Sequence, residues 1–201
     1  TFNKVYSVSG MTKWLHANDF RYKKPHRVPA RADQENQKQF IAFYKRLKSK
    51  AGKSEPIYFA DSVHPQHQTH LAYGWILKGE RKEMPTTGRQ KRLNFMGGIC
   101  LKGHRFFYQP ADKIDADIQA FAKDLGIKLH YLPPYSPNLN PIERLWKMMH
   151  EKVTYNKYYA SFAEFTDATM RFLNSIGRKK SILRSRITDN FQILHSPILA
   201  S

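Results

Sequence analysis

The stretch at residues 132–146, which reads LPPYSPNLNPIERLW, constrains the fold more than any other part of this chain. Its second half predicts a helix, because Asn140 is a favoured N-cap and Pro141 suits the first helical position. Apolar residues follow at helical spacing, and Glu143 would lie in the first turn, about 100° around the axis from Ile142. The sequence therefore predicts one carboxylate at the border between a buried helix face and solvent.

The approach to this helix is unusually stiff. Two proline turns, Pro133-Pro134 and Ser136-Pro137, separate the helix from a predicted apolar strand at residues 127–132. Glu143 also stands where a capping-box acid would stand, so a purely structural cap is the alternative interpretation of this residue. The stiff approach favours a carboxylate that is held in one place.

A second carboxylate follows an apolar run earlier in the chain. Residues 57–60, which read IYFA, are followed directly by Asp61. A continuous apolar run that ends in an acid predicts a buried strand with a carboxylate at its carboxyl end, where ligand sites of open α/β sheets gather. The alternative is an Asp that only caps the following turn.

Both stretches resemble motifs of one family. Residues 132–146 resemble the third-acid motif of mariner-like DDE-type transposases in the bacterial insertion-sequence branch, with Glu143 at the place of the last acidic ligand. The string YFADSVHPQ resembles the first catalytic motif of that family, with Asp61 matching its first Asp. The two matches occur in the order that the family requires.

The resemblance implies an α/β fold with an RNase H-like mixed sheet and helices on both faces. It implies a transposase that cleaves and joins DNA strands at the ends of an insertion sequence. Asp61 and Glu143 would be its catalytic residues and its ligands for Mg²⁺ or Mn²⁺. The implied partners are double-stranded DNA, namely terminal repeats and target, and a second copy in a homodimer.

The second catalytic Asp of the family has no counterpart here. The sequence runs from Gln109 through PADKIDAD into a predicted helix at residues 118–125, as if a segment near 114–118 had been removed. Asp112, Asp115 and Asp117 are the nearby substitutes, but none of them ends an apolar strand. Two-metal phosphoryl transfer depends on carboxylates that hold both ions, so the loss of one acid is serious.

We therefore expect an impaired copy of the enzyme, with a non-catalytic DNA-binding remnant as the alternative and another RNase H-like nuclease as a third interpretation.

Loss of a strand and a helix would also leave residues 127–132 without their neighbouring strand in the sheet. We expect these residues to pair in parallel beside residues 57–60, with the helix at 118–125 as the crossover.

The charge of the chain favours a nucleic-acid partner. The net charge is +18 and the pI is about 10.0, which argues for a polyanion. No apolar run approaches the length of a membrane span and no signal-peptide pattern occurs, so a membrane is the weaker candidate. Cys100 is the only cysteine, and we expect it to be a core residue. The lack of a disulfide framework indicates a cytoplasmic location. We expect association with the nucleoid when DNA is bound.

Residues 7–17 predict a helix capped by Ser7 or Ser9, with Met11, Trp14 and Leu15 as its buried face. YSVSGMTKWLH resembles the last helix of the family's N-terminal helix-turn-helix region, although a packing helix without a ligand is the alternative. We predict a helix-turn-helix remnant at residues 1–20, a basic linker at 21–32 and the RNase H-like domain at 33–201. Because the chain begins inside what reads as a running domain, we expect an N-terminal segment to be absent.

The candidate DNA-binding residues are cations from stretches that hold few or no acids. They are Lys13, Arg21, Lys23, Lys24, Arg27, Arg31, Arg89, Lys91 and Arg92. A solvated tether is the alternative for the run at 21–31. Residues 171–186 add six basic residues and no acid, which indicates a frayed end or a further DNA contact.

Other patterns predict the scaffold. A helix is expected from Asp33 to about residue 49, strands at 73–77, 92–101 and 105–109, and a helix after the capping box at Ser161. Gly97 and Gly98 suggest a bulge or a close approach of the backbone. The triplet His64, His67 and His70 has a spacing that suggests zinc, but we favour a solvent-exposed polar loop.

Overall fold

The fold was examined in a computed structural model, which describes residues 7–22, 31–52, 55–86, 91–110, 122 and 125–194. A three-stranded antiparallel sheet has the order β1-β2-β3, with β1 at Tyr58–Val63, β2 at Phe95–Cys100 and β3 at Arg105–Pro110. The helices are α1 at Val8–Ala17, α2 at Gln34–Lys50, α3 at Ile142–Met149, α4 at Phe162–Ile176 and α5 at Lys180–Arg186. A 3-10 turn at Pro137–Leu139 precedes α3, and a π-helical turn at His150–Thr154 continues it.

Helix α3 lies at the centre of the molecule because five of its eight residues are apolar and buried. It packs on β1 and β2 on one side and on α4 and α5 on the other. The core residues that it contributes and contacts include Ile99, Ile142, Leu145, Trp146, Met149, Leu173 and Leu183. Cys100 is buried beside them, which confirms its prediction as a core residue.

The predicted strands at 92–101 and 105–109 are confirmed, but the strand at 73–77 is wrong. This segment has no ladder partner among the described residues, and Tyr73 and Trp75 are 97% and 105% exposed. Ala72, the residue before this segment, is held by Asn156, whose side chain hydrogen-bonds both the N–H and the carbonyl of Ala72. Those bonds occupy the backbone at the start of the segment, and the apolar side chains beyond it remain in solvent.

Strand β1 extends beyond the predicted end. Asp61 lies within the strand and faces Gly97 across the β1–β2 ladder, and Ser62 and Val63 continue the pairing. Asp61 therefore does not follow the carboxyl end of its strand, because the partner strand β2 is long enough to pair with it.

The expected parallel pairing of residues 127–132 with β1 is wrong. The segment forms no strand, and within the described chain β1 pairs with β2 alone. His130 instead packs on Phe43 of α2, with 4.9 Å between the ring centroids. The side chain of Asn140 donates a hydrogen bond to the carbonyl of Ala60 at 3.3 Å. The Asn140 bond occupies a carbonyl of β1 that a further strand would need for pairing. The crossover helix expected at 118–125 falls mostly outside the described residues, as do Asp112, Asp115 and Asp117.

The predicted helices after Ser7, Asp33 and Ser161 are confirmed with their caps. The Ser161 hydroxyl accepts from the Glu164 N–H, and the Glu164 carboxylate accepts from the N–H of Ala160, one residue before the cap. The predicted buried face of α1 is wrong: Met11 and Trp14 are 38% and 50% exposed, and the stacking of Phe20 on Trp14, with 6.5 Å between ring centroids, covers that face only in part. No helix among the described residues is long and apolar enough to cross a membrane.

Candidate active site

The structure brings Asp61 on β1 and Glu143 in the first turn of α3 into contact. Both are partly buried, and their side chains are hydrogen-bonded to each other. Burial, followed by the charge of Asp61 and the hydrogen bond to it, raises the pKa of Glu143 to about 7. The Glu143 carboxyl therefore keeps its proton to a higher pH than a glutamate in solvent does.

A close contact between α3 and the sheet fixes the separation of the two acids. Trp146 lies three residues after Glu143 on the same side of α3, and its ring rests on Gly97. A Cβ atom on Gly97 would lie 2.6 Å from Cη2 of Trp146, so a side chain there would push α3 away from the sheet. Because Gly97 faces Asp61 across the ladder, this contact places Glu143 beside Asp61. The close backbone approach predicted for Gly97 is confirmed.

Asn140 joins the two acids by a second route, and its predicted role as N-cap is wrong. Pro141 occupies the cap position, and no side chain caps α3. The preceding 3-10 turn directs the Asn140 side chain to β1 instead, where it donates to the carbonyl of Ala60 at 3.3 Å. The Asn140 carbonyl accepts from the Glu143 N–H at 3.1 Å. The residue therefore links the neighbour of Asp61 directly to Glu143.

Replacing Asn140 with alanine is expected to lower the free energy of unfolding by about 1–2 kcal/mol, because the Ala60 carbonyl loses its donor in a partly buried position. Urea unfolding measures the change. Asn174→Ala is the matched control: Asn174 is exposed and accepts one bond, from the Tyr108 hydroxyl, so its loss is expected to cost less than about 0.5 kcal/mol. Equal losses in the two variants would contradict the linking role of Asn140.

The oxygen donors at this junction suit a hard divalent cation. Two carboxylates meet here, and the side-chain oxygen of Asn140 is buried without a hydrogen-bond partner. Mg²⁺ and Mn²⁺ prefer such oxygen ligands, and Mg²⁺ keeps several water molecules when few carboxylates hold it. In the described part of the chain, no group of three or more His, Cys, Asp or Glu side chains is placed to hold a metal ion. The pair of acids thus fits the metal, and no third described side chain of these types completes such a group with them.

The three histidines at 64, 67 and 70 have separate partners. His64 bonds the side chain of Asn94 at 2.8 Å, whereas His67 bonds the Tyr159 carbonyl and stacks on Phe165. The backbone of His70 forms an isolated bridge with Tyr155. His67 is buried, so the solvent-exposed loop that we favoured is wrong at this residue, because helix α4 packs against it.

The predicted DNA-binding cations are exposed wherever the structure describes them. Lys13, Arg21, Arg31, Lys91 and Arg92 lie at the surface, and Lys23, Lys24, Arg27 and Arg89 lie outside the described residues. Arg21 is 3.9 Å from Asp19, and the ammonium of Lys91 lies 5.5 Å from the ring centre of Phe162. The DNA-binding role of all nine residues stays a prediction, as do the catalytic and metal-binding roles of Asp61 and Glu143.

Comparison with known protein families gives two matches. A family model described as DDE superfamily endonuclease matches residues 56–120 and 115–166, which together make up more than half of the chain. The two matched segments meet where the sequence predicts a gap. A model described as winged helix-turn-helix matches residues 1–44.

Among individual proteins, the chain is 19% identical over 198 residues to the insertion element IS630 uncharacterized 39 kDa protein of Shigella sonnei. The match covers 82% of this chain and 57% of the relative, so the chain spans a little over half of that protein.

Two solved structures share the fold. The Mos1 transposase paired-end complex with left transposon end matches with a TM-score of 0.54 at 12% identity, over 92% of this chain and 71% of that one. The Mos1 mariner paired end complex with Mn matches with a TM-score of 0.51 at 11% identity, over 92% and 72%. At these identities the likeness shows the fold, and it confirms the predicted RNase H-like α/β class. The predicted mixed sheet is not seen among the described strands, which all pair antiparallel.

Proposed function

Because this chain belongs to the DDE superfamily endonuclease family, we propose that it is an insertion-sequence transposase whose Asp61 and Glu143 act together in cleaving DNA. The observation that carries the proposal is the contact between these two acids. They are 82 positions apart in the sequence, and each lies in the stretch that resembles a catalytic motif of the family. Double-stranded DNA is the substrate, in keeping with the net charge of +18.

Asp61 and Glu143 would hold Mg²⁺ or Mn²⁺. A divalent ion held by these two residues would activate a water or hydroxyl nucleophile and would stabilise the leaving oxygen of the phosphodiester. Glu143 can contribute to such a site only when it is ionised, so protons and metal ions compete for its carboxylate. The contacts of Gly97 and Asn140 hold the two acids at a fixed separation before any ligand binds.

This copy is impaired in the proposed function, because the second Asp of the family motif is missing. The two-segment match to the family model and the absence of a third described acid near Asp61 and Glu143 support this part of the proposal. The same observations favour a DNA-binding remnant without catalysis as the second candidate. The remnant would bind DNA through its cations and would need no metal ion.

Nicking of supercoiled plasmid that carries the element's ends separates the two candidates. We expect slow nicking that requires Mn²⁺ or Mg²⁺ and falls at least about 100-fold in Asp61→Asn and in Glu143→Gln. Glu80→Gln is the control, since Glu80 is an exposed acid in the 71–86 segment. Salt-sensitive DNA binding without metal-dependent nicking would support the remnant. Nicking that survives both substitutions would contradict the role of the two acids.

A further inference from the structure

A basic cleft lies between α4, α5 and the end of α3, away from the two acids. Its volume is about 500 Å³, and its apolar floor includes Met148, Phe172 and Ile182. Lys152, Arg171, Lys179 and Arg186 line it, and no acidic residue does. Lys152 and the other three cations are all exposed. We call this surface the basic cleft.

The charge of the cleft is only partly balanced. Arg186 forms a two-pronged ion pair with Glu151, with N–O distances of 2.7 and 2.9 Å, which holds its guanidinium in place. Lys152, Arg171 and Lys179 form no ion pair with any described acid. Three uncompensated cations around an apolar floor favour an anionic ligand that also presents carbon atoms.

The size of the cleft indicates a stretch of phosphates rather than a single ion. Arg171 lies within α4, whereas Lys179 follows the end of that helix, and the cleft that they line has a volume of about 500 Å³. One strand of DNA carries a phosphate about every 3.4 Å along its axis, so a cleft of this size, which falls in the range that holds drug-sized ligands, has room for more than one phosphate. A site for one free phosphate would instead need cations that converge on a point. Deoxyribose carbons could pack on Phe172 and Ile182 between the phosphate contacts.

We propose that the basic cleft binds the phosphate backbone of DNA, as a site separate from the acidic pair. Met148 lies five residues after Glu143, about 140° around α3, so the cleft opens on a different face of that helix. DNA held in the cleft therefore lies away from the phosphodiester that Asp61 and Glu143 would cleave. Its contacts add affinity without taking part in the chemistry. The site rests on the proposed DNA-binding function.

Fluorescence anisotropy with a labelled duplex tests the site in the full chain. The variant is Arg171→Gln/Lys179→Gln, and the matched control is Lys45→Gln/Arg46→Gln, which removes one Lys and one Arg from the exposed surface of α2. Both variants have the same net charge. We expect the cleft variant to bind DNA at least about fivefold more weakly, with the slope of log affinity against log salt reduced by about 1.8, as two lost phosphate contacts predict. The control should change affinity less than about twofold.

Equal losses of DNA affinity in the two variants would overturn the proposal, because the change in net charge alone would then explain them. Weaker binding of polyglutamate by the cleft variant with unchanged DNA binding would also overturn it, in favour of an acidic protein partner. If the unmodified chain shows no salt-dependent DNA binding, the proposed function fails together with the cleft. Metal-dependent nicking that remains in the cleft variant at saturating DNA agrees with a site outside the chemistry.

Discussion

Replacing Gly97 with alanine is expected to lower the free energy of unfolding by about 1–3 kcal/mol, a large loss for a single added methyl group. The new Cβ would meet Cη2 and Cζ2 of Trp146 at 2.6 and 2.9 Å. Neither side can yield easily, since Gly97 lies in the central strand and Trp146 is only 3% exposed. Urea unfolding of the two proteins measures the difference.

Gly98→Ala is the matched control on the next residue of the same strand. Its Cβ would lie even closer to a ring, at 2.3 Å from Cζ of Phe107. Phe107 is 50% exposed, however, so its ring can rotate into solvent. We therefore expect Gly98→Ala to lower the free energy of unfolding less than Gly97→Ala does, although its Cβ atom would lie closer to a ring. A larger loss at position 98 would show that the α3 contact is not tightly packed.

The Gly97 variant should also separate the two acids, because Trp146 sets how closely α3 approaches the sheet. With Asp61 farther away, the pKa of Glu143 is expected to fall towards its ordinary value. A Trp146→Phe change removes the ring atoms that clash and should recover part of the loss when combined with Gly97→Ala. Additive effects of the two changes would contradict a direct contact between these residues.

Glu143→Gln is expected to stabilise the metal-free protein at pH 8 by on the order of 2 kcal/mol. The pKa of Glu143 is raised from 4.5 to about 7, so the folded state disfavours its ionised form. The contribution of Glu143 to stability therefore falls as the pH rises from about 4.5 to about 7 and stays lower above that range. Glutamine carries no charge and avoids this cost, so the gain should vanish near pH 4.5.

Glu151→Gln gives a control of opposite sign. The hydrogen bond from Arg186 lowers the pKa of Glu151, so its ionised form stabilises the fold and that contribution is lost as the pH falls. Its removal should destabilise the protein at pH 8 by less than about 1 kcal/mol, since the pair lies near the surface. Urea unfolding in EDTA from pH 4.5 to 8 measures both variants. A Glu143→Gln variant that is no more stable than the unmodified protein at pH 8 would show that neither burial nor the charge of Asp61 disfavours the ionised form of Glu143.

The parts of the fold that depend on local sequence could be predicted. Helices α2 and α4 begin at their predicted caps because Asp33 and Ser161 satisfy N–H groups only a few residues away. Strands β2 and β3 follow from β-rich runs joined by a tight turn that contains Gly103 with φ of +80°. Asp61 and Glu143 were found from their motifs, but their contact is a property of the folded chain.

The parts that depend on a distant partner could not be predicted. Helical spacing gives α1 an apolar face, yet periodicity does not say whether anything covers Trp14. Residues 127–132 have an apolar composition typical of a strand, but a strand must also pair with a free edge of the sheet. At the edge of β1, the side chain of Asn140 already bonds the carbonyl of Ala60. The basic cleft depends on Lys152 lying near Arg171, which only the packing of α3 against α4 provides.

The most direct test is calorimetric titration of the full chain with Mn²⁺ at pH 6 and pH 8. If Asp61 and Glu143 form the metal site, the ion must displace the proton from a carboxyl with a pKa of about 7. We expect affinity about tenfold higher at pH 8 than at pH 6, proton release on binding, and no binding in Glu143→Gln. Binding that is equally tight at both pH values and unchanged in Glu143→Gln would show that the two acids do not hold the metal.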